Sequence, residues 1–451
     1  MADASAAAGI STNRLKAEEY ERNFADLHAP LNTHQASVEA ARCYFCFDAP
    51  CMTACPTGID IPLFIRQIST GNTSGSARTI FAQNIMGGMC ARVCPTETLC
   101  EEACVRHSAE DKPVKIGFLQ RYATDAYLET GKHPFKRAAD TGKKVAVVGA
   151  GPAGMSCAHR LASLGHNVQV LEGRGKAGGL NEYGIASYKA SDNFAAKEIK
   201  FILSIGGIEV KIGSMLGNGL ELNDLRDEFD AVFLGLGQGG ANDLRLEGED
   251  LGGVINAIDY IAELRQVLDL TKLPVGRRIV VIGGGMTAID IAVQTKLLGA
   301  QDVTIVYRRG QEHMKASRYE QELAQTRGVK IVHWAKPAEL IAEHGNVKEV
   351  RFEGTALDGQ GKLTGTGETF ELAADQVFKA IGQVFLSDAF ANNEGPKLDN
   401  GRIAVNETRK TSMPDVWAGG DCIDGGEDLT VAAVEDGKVA AMSIDQYLRE
   451  K

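Results

Sequence analysis

Cysteines are the side chains in this sequence whose type and spacing carry the most chemical information. Eight of the ten lie between Cys43 and Cys104, and the other two, Cys157 and Cys422, are isolated. In a reducing compartment such clustering indicates metal binding more often than disulfide bonding. We therefore expect a metal-binding module in the N-terminal part of the chain.

The spacing of these eight cysteines indicates which metal they bind. They form two runs, C-x2-C-x4-C-x3-C-P from Cys43 and C-x3-C-P-x4-C-x3-C from Cys90. Zinc knuckles usually come as two C-x-x-C pairs, and only one such pair is present. The Cys-Pro pairs at Cys55 and Cys94 resemble ferredoxin-type ligation, in which the cysteine before proline serves the other cluster. The sequence thus predicts iron–sulfur clusters, with a zinc-stabilised docking module as the alternative.

The same crossing rule divides the cysteines into two sets, which predict two 4Fe-4S clusters. The first cysteine set is Cys43, Cys46, Cys51 and Cys104. The second cysteine set is Cys55, Cys94 and Cys100, with one further place open. Spacing alone predicts that Cys90 is the fourth ligand of this set.

A glycine-rich turn between a strand and a helix predicts a dinucleotide site. Residues 149–154 read G-x-G-x-x-G and follow the apolar strand 145–148. A pyrophosphate must approach the backbone closely at a helix N-terminus, and side chains would block that approach. Glu172 ends the next strand, where a carboxylate can accept hydrogen bonds from ribose hydroxyls. A tight turn in an unrelated α/β domain is the alternative.

A second turn of this kind lies further along the chain. Residues 283–288 follow the strand 279–282, and the next strand ends in Tyr307-Arg308-Arg309 without an acid. Arginines at that place can bind the 2′-phosphate of NADP, and Lys315 would add a further cation. The alternative is a solvated basic turn.

Two such units predict the fold class. We expect an α/β protein with an N-terminal α-helical iron–sulfur domain and two Rossmann-like nucleotide-binding domains, the second inserted in the first. The predicted domains are residues 1–140 for the two clusters, 141–240 and 383–451 for FAD, and 241–382 for NAD(P)H. The arrangement resembles flavoprotein disulfide reductases, in which a strand ending in Gly-Gly-Asp, here at 419–421, contacts the flavin. No C-x4-C redox pair lies beside the first turn, so electrons must leave the flavin by another route.

Composition limits the function classes. The chain has 451 residues, 48 Lys+Arg against 59 Asp+Glu, and a formal charge of -11. This acidic balance argues against nucleic-acid binding. No apolar run approaches the roughly 18 residues that span a bilayer. Residues 1–11 lack the pattern of a secretory signal, and the cytoplasm is the expected location.

Several motifs together resemble a known family, the N-terminal half of dihydropyrimidine dehydrogenase. They are residues 43–56, 80–84, 90–96, 113–120, 149–154, 178–180, 308–310, 418–421 and 430–438. The resemblance covers nearly the whole chain after about residue 35, and we expect no FMN-binding barrel. The sequence therefore resembles the separate electron-input subunit of the bacterial enzyme. The small subunit of glutamate synthase, which feeds an amidotransferase, is a more distant resemblance and the alternative.

The resemblance implies a function and a partner. Hydride from NADH or NADPH would pass to FAD, and single electrons would pass through the clusters to an FMN-containing partner subunit that reduces uracil and thymine. The assembly would be a heteromer, by resemblance a heterotetramer. The resemblance favours NADH, whereas Arg308 and Arg309 favour NADPH. Hydride transfer between stacked rings needs no side-chain acid or base, so no catalytic residue is expected.

The resemblance also implies site residues. In the family the last ligand of the second cluster is a glutamine, which matches Gln120, and the cysteine matching Cys90 is not a ligand. Cys90 stays the alternative. Residues matching flavin contacts are Val93, Ala150, Gly151, Pro152, Ala153, Gly154, Glu172, Gly179, Leu180, Lys189, Gly420, Asp421 and Thr430. Residues matching nicotinamide nucleotide contacts are Gly284, Gly285, Met286, Thr287, Arg308, Arg309, Lys315, Ala380, Ile381 and Gly382.

Overall fold

The computed structural model describes residues 9–390 and 395–451, which form two compact units. The first unit consists of residues 9–27, 183–191 and 240–384. The second unit consists of residues 28–182, 192–239, 385–390 and 395–451. Of residues 1–11, for which the sequence predicts no secretory signal, residues 1–8 lie outside the described residues. Within the described ranges, no helix is both long and apolar enough to cross a membrane.

The N-terminal part of the second unit is helical. Its α-helices are Thr33–Ala40, Pro50–Thr53, Ile61–Ser69, Thr73–Gln83, Gly87–Val93, Val105–Glu110 and Ile116–Leu128, with a 3-10 turn at Thr96–Thr98. The helix Ile61–Ser69 shows why these segments fold, because Asp60 caps its N-terminus and its buried residues recur at helical spacing. That apolar face packs in one core with residues of the helices Thr73–Gln83 and Ile116–Leu128.

The rest of the second unit is built around a five-stranded parallel sheet. Its spatial order is Ile208–Ile212, Asn167–Glu172, Lys144–Val148, Ala231–Leu234 and Val416–Ala418. In chain order this reads 3-2-1-4-5, which matches the doubly wound order of nucleotide-binding sheets. The central strand is buried along Val145–Val148 and pairs Val148 with Leu171 on one side and Leu234 on the other. The helices here are Pro152–Ser163, Leu180–Tyr183, Phe194–Leu203, Leu222–Glu228 and Thr430–Glu450.

The first unit contains a second parallel sheet of five strands. Its order is Lys330–His333, Asp302–Tyr307, Arg278–Ile282, Gln376–Lys379 and Val254–Asn256. A three-stranded antiparallel sheet is built from Ala335–Glu343, Asn346–Leu357 and Leu363–Ala373. The α-helices are Ala17–Asn23, Ala257–Gln266, Met286–Leu297 and Arg318–Thr326, with 3-10 turns at Leu270–Lys272 and Gln311–His313. Most of this unit is the segment 240–384, which interrupts the second unit in the chain.

Short strand pairs and one turn complete the two units. The pairs are Ile10–Ser11 with Val275–Gly276, Gly240–Ala241 with Gln383–Val384, Met215–Leu216 with Gly219–Leu220, and Leu398–Asp399 with Arg402–Ile403. A 3-10 turn spans Ser387–Phe390. The division into three functional domains, with the FAD-binding domain in two segments, stays a prediction.

Candidate functional site

The first cysteine set surrounds one cavity in the helical region. Cys43, Cys46, Cys51 and Cys104 all line this cavity, whose volume is about 30 Å³. Its other walls include apolar side chains of the helix that begins at Ile61, among them Ile61 and Ile65. Over the described part of the chain, no three histidine, cysteine, aspartate or glutamate side chains are placed to hold a metal ion. The four predicted ligands of the first cluster thus meet at one cavity.

The electrostatics of this cavity fit an iron–sulfur cluster. Burial, followed by the neighbouring Cys104, Cys43 and Cys46, raises the pKa of the Cys51 thiol to about 12. Burial likewise raises the pKa of Cys43, and the neighbouring Cys104 and Cys46 raise it further. Several thiolates cannot share a desolvated space unless a cationic centre neutralises them. An iron–sulfur cluster would supply that centre, and thiolates are its usual ligands.

The second cysteine set is also brought together, and it adjoins the first. The pKa of Cys94 is raised well above its usual value by a hydrogen bond with Cys90 and by burial, and Cys100 and Cys55 raise it further. Burial and the neighbouring Glu101 raise the pKa of Cys100, with smaller effects from Cys55 and Cys51. Because Cys51 belongs to the first set, the two groups of thiols lie next to each other.

Gln120 and Cys90 compete for the open place of the second set. Gln120 is buried, and its amide nitrogen donates a hydrogen bond to the carbonyl oxygen of Gly87 at 2.7 Å. The nitrogen is thereby engaged, so a metal bond from this side chain would use its oxygen. Cys90 is buried on the same helix, Gly87–Val93, and contacts Cys94. The structure brings both residues to this helix, and the choice of Gln120 stays a prediction.

The first glycine turn has the form that a bound pyrophosphate needs. Gly149 has a φ of +98°, and a Cβ there would collide with the carbonyl oxygen of Gly235. Gly151 begins the helix Pro152–Ser163 without a side-chain cap, and the nearest atom to a Cβ there would be the Cα of Gly179 at 3.8 Å. Glu172 is buried, and its carboxylate accepts the N–H of Ala150 at 2.8 Å. The turn is therefore fixed while the helix N-terminus stays open to an anion.

The predicted flavin segment near the C-terminus contains an unpaired buried oxygen. Asp421 has one carboxylate oxygen that is buried without a hydrogen-bond partner, and burial, with the charge of Asp428, raises its pKa to about 6. The preceding Gly420 has a φ of +86° and donates its N–H to Asp436 at 2.8 Å. Thr430 begins the long C-terminal helix, and its hydroxyl donates to Asn181 at 2.8 Å. A ribityl hydroxyl would satisfy the free oxygen, so these residues fit FAD.

Other predicted flavin contacts lie around the same turn. Leu180 begins a short helix just after Gly179, whose backbone approaches that of Gly151. Ala153 and Gly154 form the first turn of the helix Pro152–Ser163. Val93 ends the helix Gly87–Val93 and directly precedes the predicted cluster ligand Cys94.

The second glycine turn repeats this geometry in the first unit. Gly283 has a φ of +148°, and a Cβ there would collide with the carbonyl oxygen of Ala380. Gly284 lies against the ring of Tyr307, where no side chain fits. Gly285 begins the helix that Met286 and Thr287 continue, and the space around it is open. Ile381 and Gly382 follow Ala380 at the end of the strand Gln376–Lys379.

The predicted nucleotide contacts Arg308, Arg309 and Lys315 follow the strand Asp302–Tyr307 and differ in exposure. Arg308 and Lys315 are exposed. Arg309 is half-buried, and its Nε is buried without a hydrogen-bond partner. The Nε2 atom of the half-buried His333, on the adjacent strand, is also buried without a hydrogen-bond partner. The unpaired buried donor of Arg309 fits a phosphate-bearing ligand such as NAD(P)H.

Lys189 is placed differently from the other predicted flavin contacts. It belongs to the first unit, whereas they belong to the second. Its ammonium group lies 2.8 Å from Asp290 and 2.7 Å from Glu320. Burial alone would lower the pKa of Lys189, but the two carboxylates outweigh it and raise that pKa above its ordinary value. The flavin role of Lys189 stays a prediction, whereas its ion pairs were not foreseen.

Sequence reasoning also missed Glu198. This side chain is only 1% exposed and accepts two backbone hydrogen bonds from the helix Gly87–Val93. The sequence pattern could have identified it, because Glu198 falls among apolar residues on the buried face of the helix Phe194–Leu203. A carboxyl in that position needs partners, which the sequence does not name.

Two family models match the chain. The model described as pyridine nucleotide-disulphide oxidoreductase matches residues 143–437. The model described as dihydropyrimidine dehydrogenase domain II, 4Fe-4S cluster, matches residues 20–132. The boundary between the two matches falls between the helical region and the strand Lys144–Val148.

Similar proteins and structures extend these matches. PreT of Escherichia coli K12, an NAD-dependent dihydropyrimidine dehydrogenase subunit, is 36% identical over 95% of this chain and 98% of its own. The small chain of NADPH glutamate synthase from the same organism is 33% identical over 94% of both chains. FprA of Mycobacterium tuberculosis, solved with NADPH, is similar with a TM-score of 0.57 and 21% identity over 68% of this chain and 85% of FprA. Thioredoxin reductase of T. acidophilum has a TM-score of 0.52 and 21% identity, covering 68% of this chain and 99% of its own.

The fold and the sites define an α/β oxidoreductase that uses FAD and NAD(P) and has an iron–sulfur domain at its N-terminus. The chain belongs to the pyridine nucleotide-disulphide oxidoreductase family, among the dihydropyrimidine dehydrogenase subunits and related proteins that carry the 4Fe-4S domain. The predicted family, the oxidoreductase activity and the FAD, NAD(P)H and 4Fe-4S cofactors are thereby confirmed. The number of clusters and the individual ligands stay predictions.

Proposed function

We propose that this chain is the electron-input subunit of a dihydropyrimidine dehydrogenase. It accepts hydride from NADH or NADPH and delivers single electrons to a partner subunit that carries FMN and reduces uracil and thymine to 5,6-dihydropyrimidines. FAD and two 4Fe-4S clusters, when bound, supply this conversion, because a flavin holds one or two electrons and a cluster takes one. The similarity to PreT over nearly the full length of both chains supports the assignment.

One structural observation carries the proposal: both cysteine sets and the first glycine turn belong to one compact unit. Arg160, on the helix that follows the glycine turn, donates to the carbonyl oxygen of Ala82 at 2.7 Å. Lys438, on the C-terminal helix, donates to the carbonyl oxygen of Thr57 at 3.1 Å and to Gln83 at 3.0 Å. These contacts join the predicted cluster region to the predicted flavin region, as electron transfer between them requires.

The chain's own residues bind and orient the cofactors. The N–H groups at the starts of the helices Pro152–Ser163 and Met286–Leu297 would hold the two pyrophosphates. Glu172 and Asp421 would accept hydrogen bonds from ribose and ribityl hydroxyls. The nucleotide-binding domain is inserted in the FAD-binding domain, and the assembly with the partner is a heteromer. This division of roles leaves pyrimidine reduction to the partner.

Kinetic assays on the purified chain, with and without the partner, test this proposal. We expect the chain alone to oxidise NADH with an artificial electron acceptor and to leave uracil unreduced. Addition of the FMN-containing subunit is expected to couple NADH oxidation to uracil reduction. Reduction of uracil by the chain alone would contradict the proposal.

A second candidate function is electron donation to a glutamine-dependent amidotransferase. It is favoured by the 33% identity to the glutamate synthase small chain over 94% of both chains. The partner that co-purifies with the chain distinguishes the two. We expect an FMN-containing pyrimidine-reducing subunit, and recovery of a large amidotransferase would support the alternative instead.

The predicted ligand set can be tested separately by substitution at the second cysteine set. We expect Gln120→Ala to remove the spectroscopic signal of one reduced cluster, because an alanine offers no ligand atom. We expect Cys90→Ser to keep both signals. If only Cys90→Ser loses a cluster, Cys90 rather than Gln120 completes the set. Iron analysis and EPR spectroscopy of the two variants and the unmodified chain provide the measurement.

A further inference from the structure

Glu198 caps a helix that belongs to a distant part of the sequence. One of its carboxylate oxygens accepts the N–H of Gly88 at 2.9 Å and the N–H of Met89 at 3.0 Å. These are the second and third residues of the helix Gly87–Val93, whose first N–H groups have no partner within the helix. Met86, at the N-cap, supplies no side-chain hydrogen bond. The cap therefore comes from the helix Phe194–Leu203.

The capped turn is the point where contacts to the second cysteine set converge. Gln120 donates to the carbonyl oxygen of Gly87 at 2.7 Å. Arg92 donates to the carbonyl oxygen of Gly88 at 3.0 Å and forms an ion pair with Asp125 at 2.8 Å. The helix ends at Val93, just before Cys94. A shift of this turn would thus move both a predicted cysteine ligand and the predicted glutamine ligand.

The fit around the turn is tight. A Cβ at Gly88 would lie 2.6 Å from the ring of Phe194 and 2.9 Å from the carboxylate of Glu198. The guanidinium of Arg92 covers the same Phe194 ring at 3.4 Å from its centroid. The helix Phe194–Leu203 therefore holds the turn from one side, while the helix Ile116–Leu128 holds it from the other through Gln120 and Asp125.

A side-chain cap from the helix's own N-cap residue would avoid burying a carboxyl group. Serine, aspartate or asparagine at the N-cap gives a helix the same kind of hydrogen bond locally. Glu198 instead buries a carboxyl group, which is unfavourable unless its bonds repay the desolvation. Its advantage is that it ties the helix to a second element 110 residues away in the chain.

We propose that Glu198 is a positioning residue for the second cluster, which fixes the helix Gly87–Val93 and, through Gly87, the amide of Gln120. The inference rests on the proposed function, because it treats the second cysteine set and Gln120 as a cluster site. Glu198 itself is not a ligand. It determines where Cys94 and Gln120 present their ligand atoms.

Three variants of the full chain test the inference. Glu198→Ala removes both hydrogen bonds, Glu198→Gln keeps an oxygen that can accept them, and Lys197→Gln changes an exposed neighbour on the same helix as a control. For each variant we would measure iron and FAD content and follow the EPR signals of the reduced clusters during redox titration. We expect Glu198→Ala to lose most of the second cluster's signal, or to shift its midpoint potential, while FAD and the first cluster are unchanged. Glu198→Gln and Lys197→Gln are expected to match the unmodified chain.

Two outcomes would overturn the inference. One is a Glu198→Ala protein whose two signals and midpoint potentials equal those of the unmodified chain. The other is the joint loss of FAD and both clusters in Glu198→Ala and in Glu198→Gln, which would show a general structural role. If Glu198→Ala does not fold, Glu198→Asp, which is one methylene shorter, is judged by the same signals. Absence of a second cluster from the unmodified chain would instead refute the proposed function, so the two failures are distinguishable.

Discussion

Asp421 has a buried carboxylate oxygen that a bound ligand would provide with a hydrogen-bond partner. Without flavin, its carboxylate is buried, and its pKa is raised from 3.8 to about 6. The folded flavin-free chain therefore holds this proton more tightly than the unfolded chain does. The penalty for ionising Asp421 begins above pH 3.8 and is complete above about pH 6, so its contribution to stability falls as the pH rises through that window.

The change Asp421→Asn should remove this penalty. In the flavin-free protein, we expect the variant to gain stability over the unmodified chain between pH 4 and pH 7, by at most about 3 kcal/mol. Denaturant unfolding at the two pH values measures the difference. The exposed Glu427→Gln is the control and should show no such trend. An Asp421→Asn variant with the same relative stability at both pH values would contradict the assignment.

Arg309 is the residue that best tests which nucleotide is used. Its buried, unpaired Nε is suited to a phosphate oxygen, and charge-assisted hydrogen bonds are worth about 1.5–3 kcal/mol. We expect Arg309→Leu to raise the KM for NADPH about tenfold or more and to leave the KM for NADH within about twofold. Steady-state assays with both nucleotides and an artificial acceptor measure this. An equal rise in KM for both nucleotides would mean that Arg309 does not bind the 2′-phosphate.

At the scale of elements, the two helices that begin at the predicted flavin site are held in contact by a glycine. Gly437, on the C-terminal helix, lies against the backbone of the helix Pro152–Ser163, and a Cβ there would lie 2.9 Å from the nitrogen of Cys157 and collide with the carbonyl oxygen of Ala153. We expect Gly437→Ala to destabilise the chain by about 1–3 kcal/mol and to lower its FAD content. Thermal unfolding and flavin absorbance measure both effects.

The matched control for this change is Gly175→Ala. A Cβ at Gly175 would meet no atom within 4 Å, so the same substitution should leave stability and FAD content unchanged. If Gly437→Ala behaves like Gly175→Ala, the close contact between the two helices is not what holds the flavin site together.

Sequence reasoning located those elements whose signals are local. The predicted strands 145–148 and 279–282 correspond to Lys144–Val148 and Arg278–Ile282, because buried strands are recognisable as short apolar runs. The sequence of residues 354–367 indicates a hairpin or surface loop, and these residues form the turn and the adjoining strand ends of the hairpin Asn346–Leu357 and Leu363–Ala373. The full three-stranded sheet was missed because the strand Leu363–Ala373 is almost wholly exposed and lacks an apolar pattern.

The sites divide in the same way. Glycine turns and cysteine runs can be predicted from the sequence, because their chemistry requires particular residues at fixed, short spacings. The contacts of Glu198 and Lys189 could not be predicted from the sequence, because they link residues about 100 or more positions apart. The association of residues 9–27 with the segment 240–384 has the same origin, since Asn23 donates to the carbonyl oxygen of Leu297 at 3.0 Å. Such pairs depend on the fold, and a single sequence does not specify them.

At the scale of the whole molecule, the proposed cofactor set fixes how many electrons one chain can store. Two electrons enter FAD and one enters each 4Fe-4S cluster, so a reductive titration of the purified chain should consume about four electrons per chain. The variant Cys100→Ser, which removes a ligand of the second set only, should consume about one electron fewer and keep its flavin. Absorbance during anaerobic titration with a low-potential reductant gives the count. A value near three for the unmodified chain would mean one cluster, and the two adjoining thiol sets would then need a different explanation.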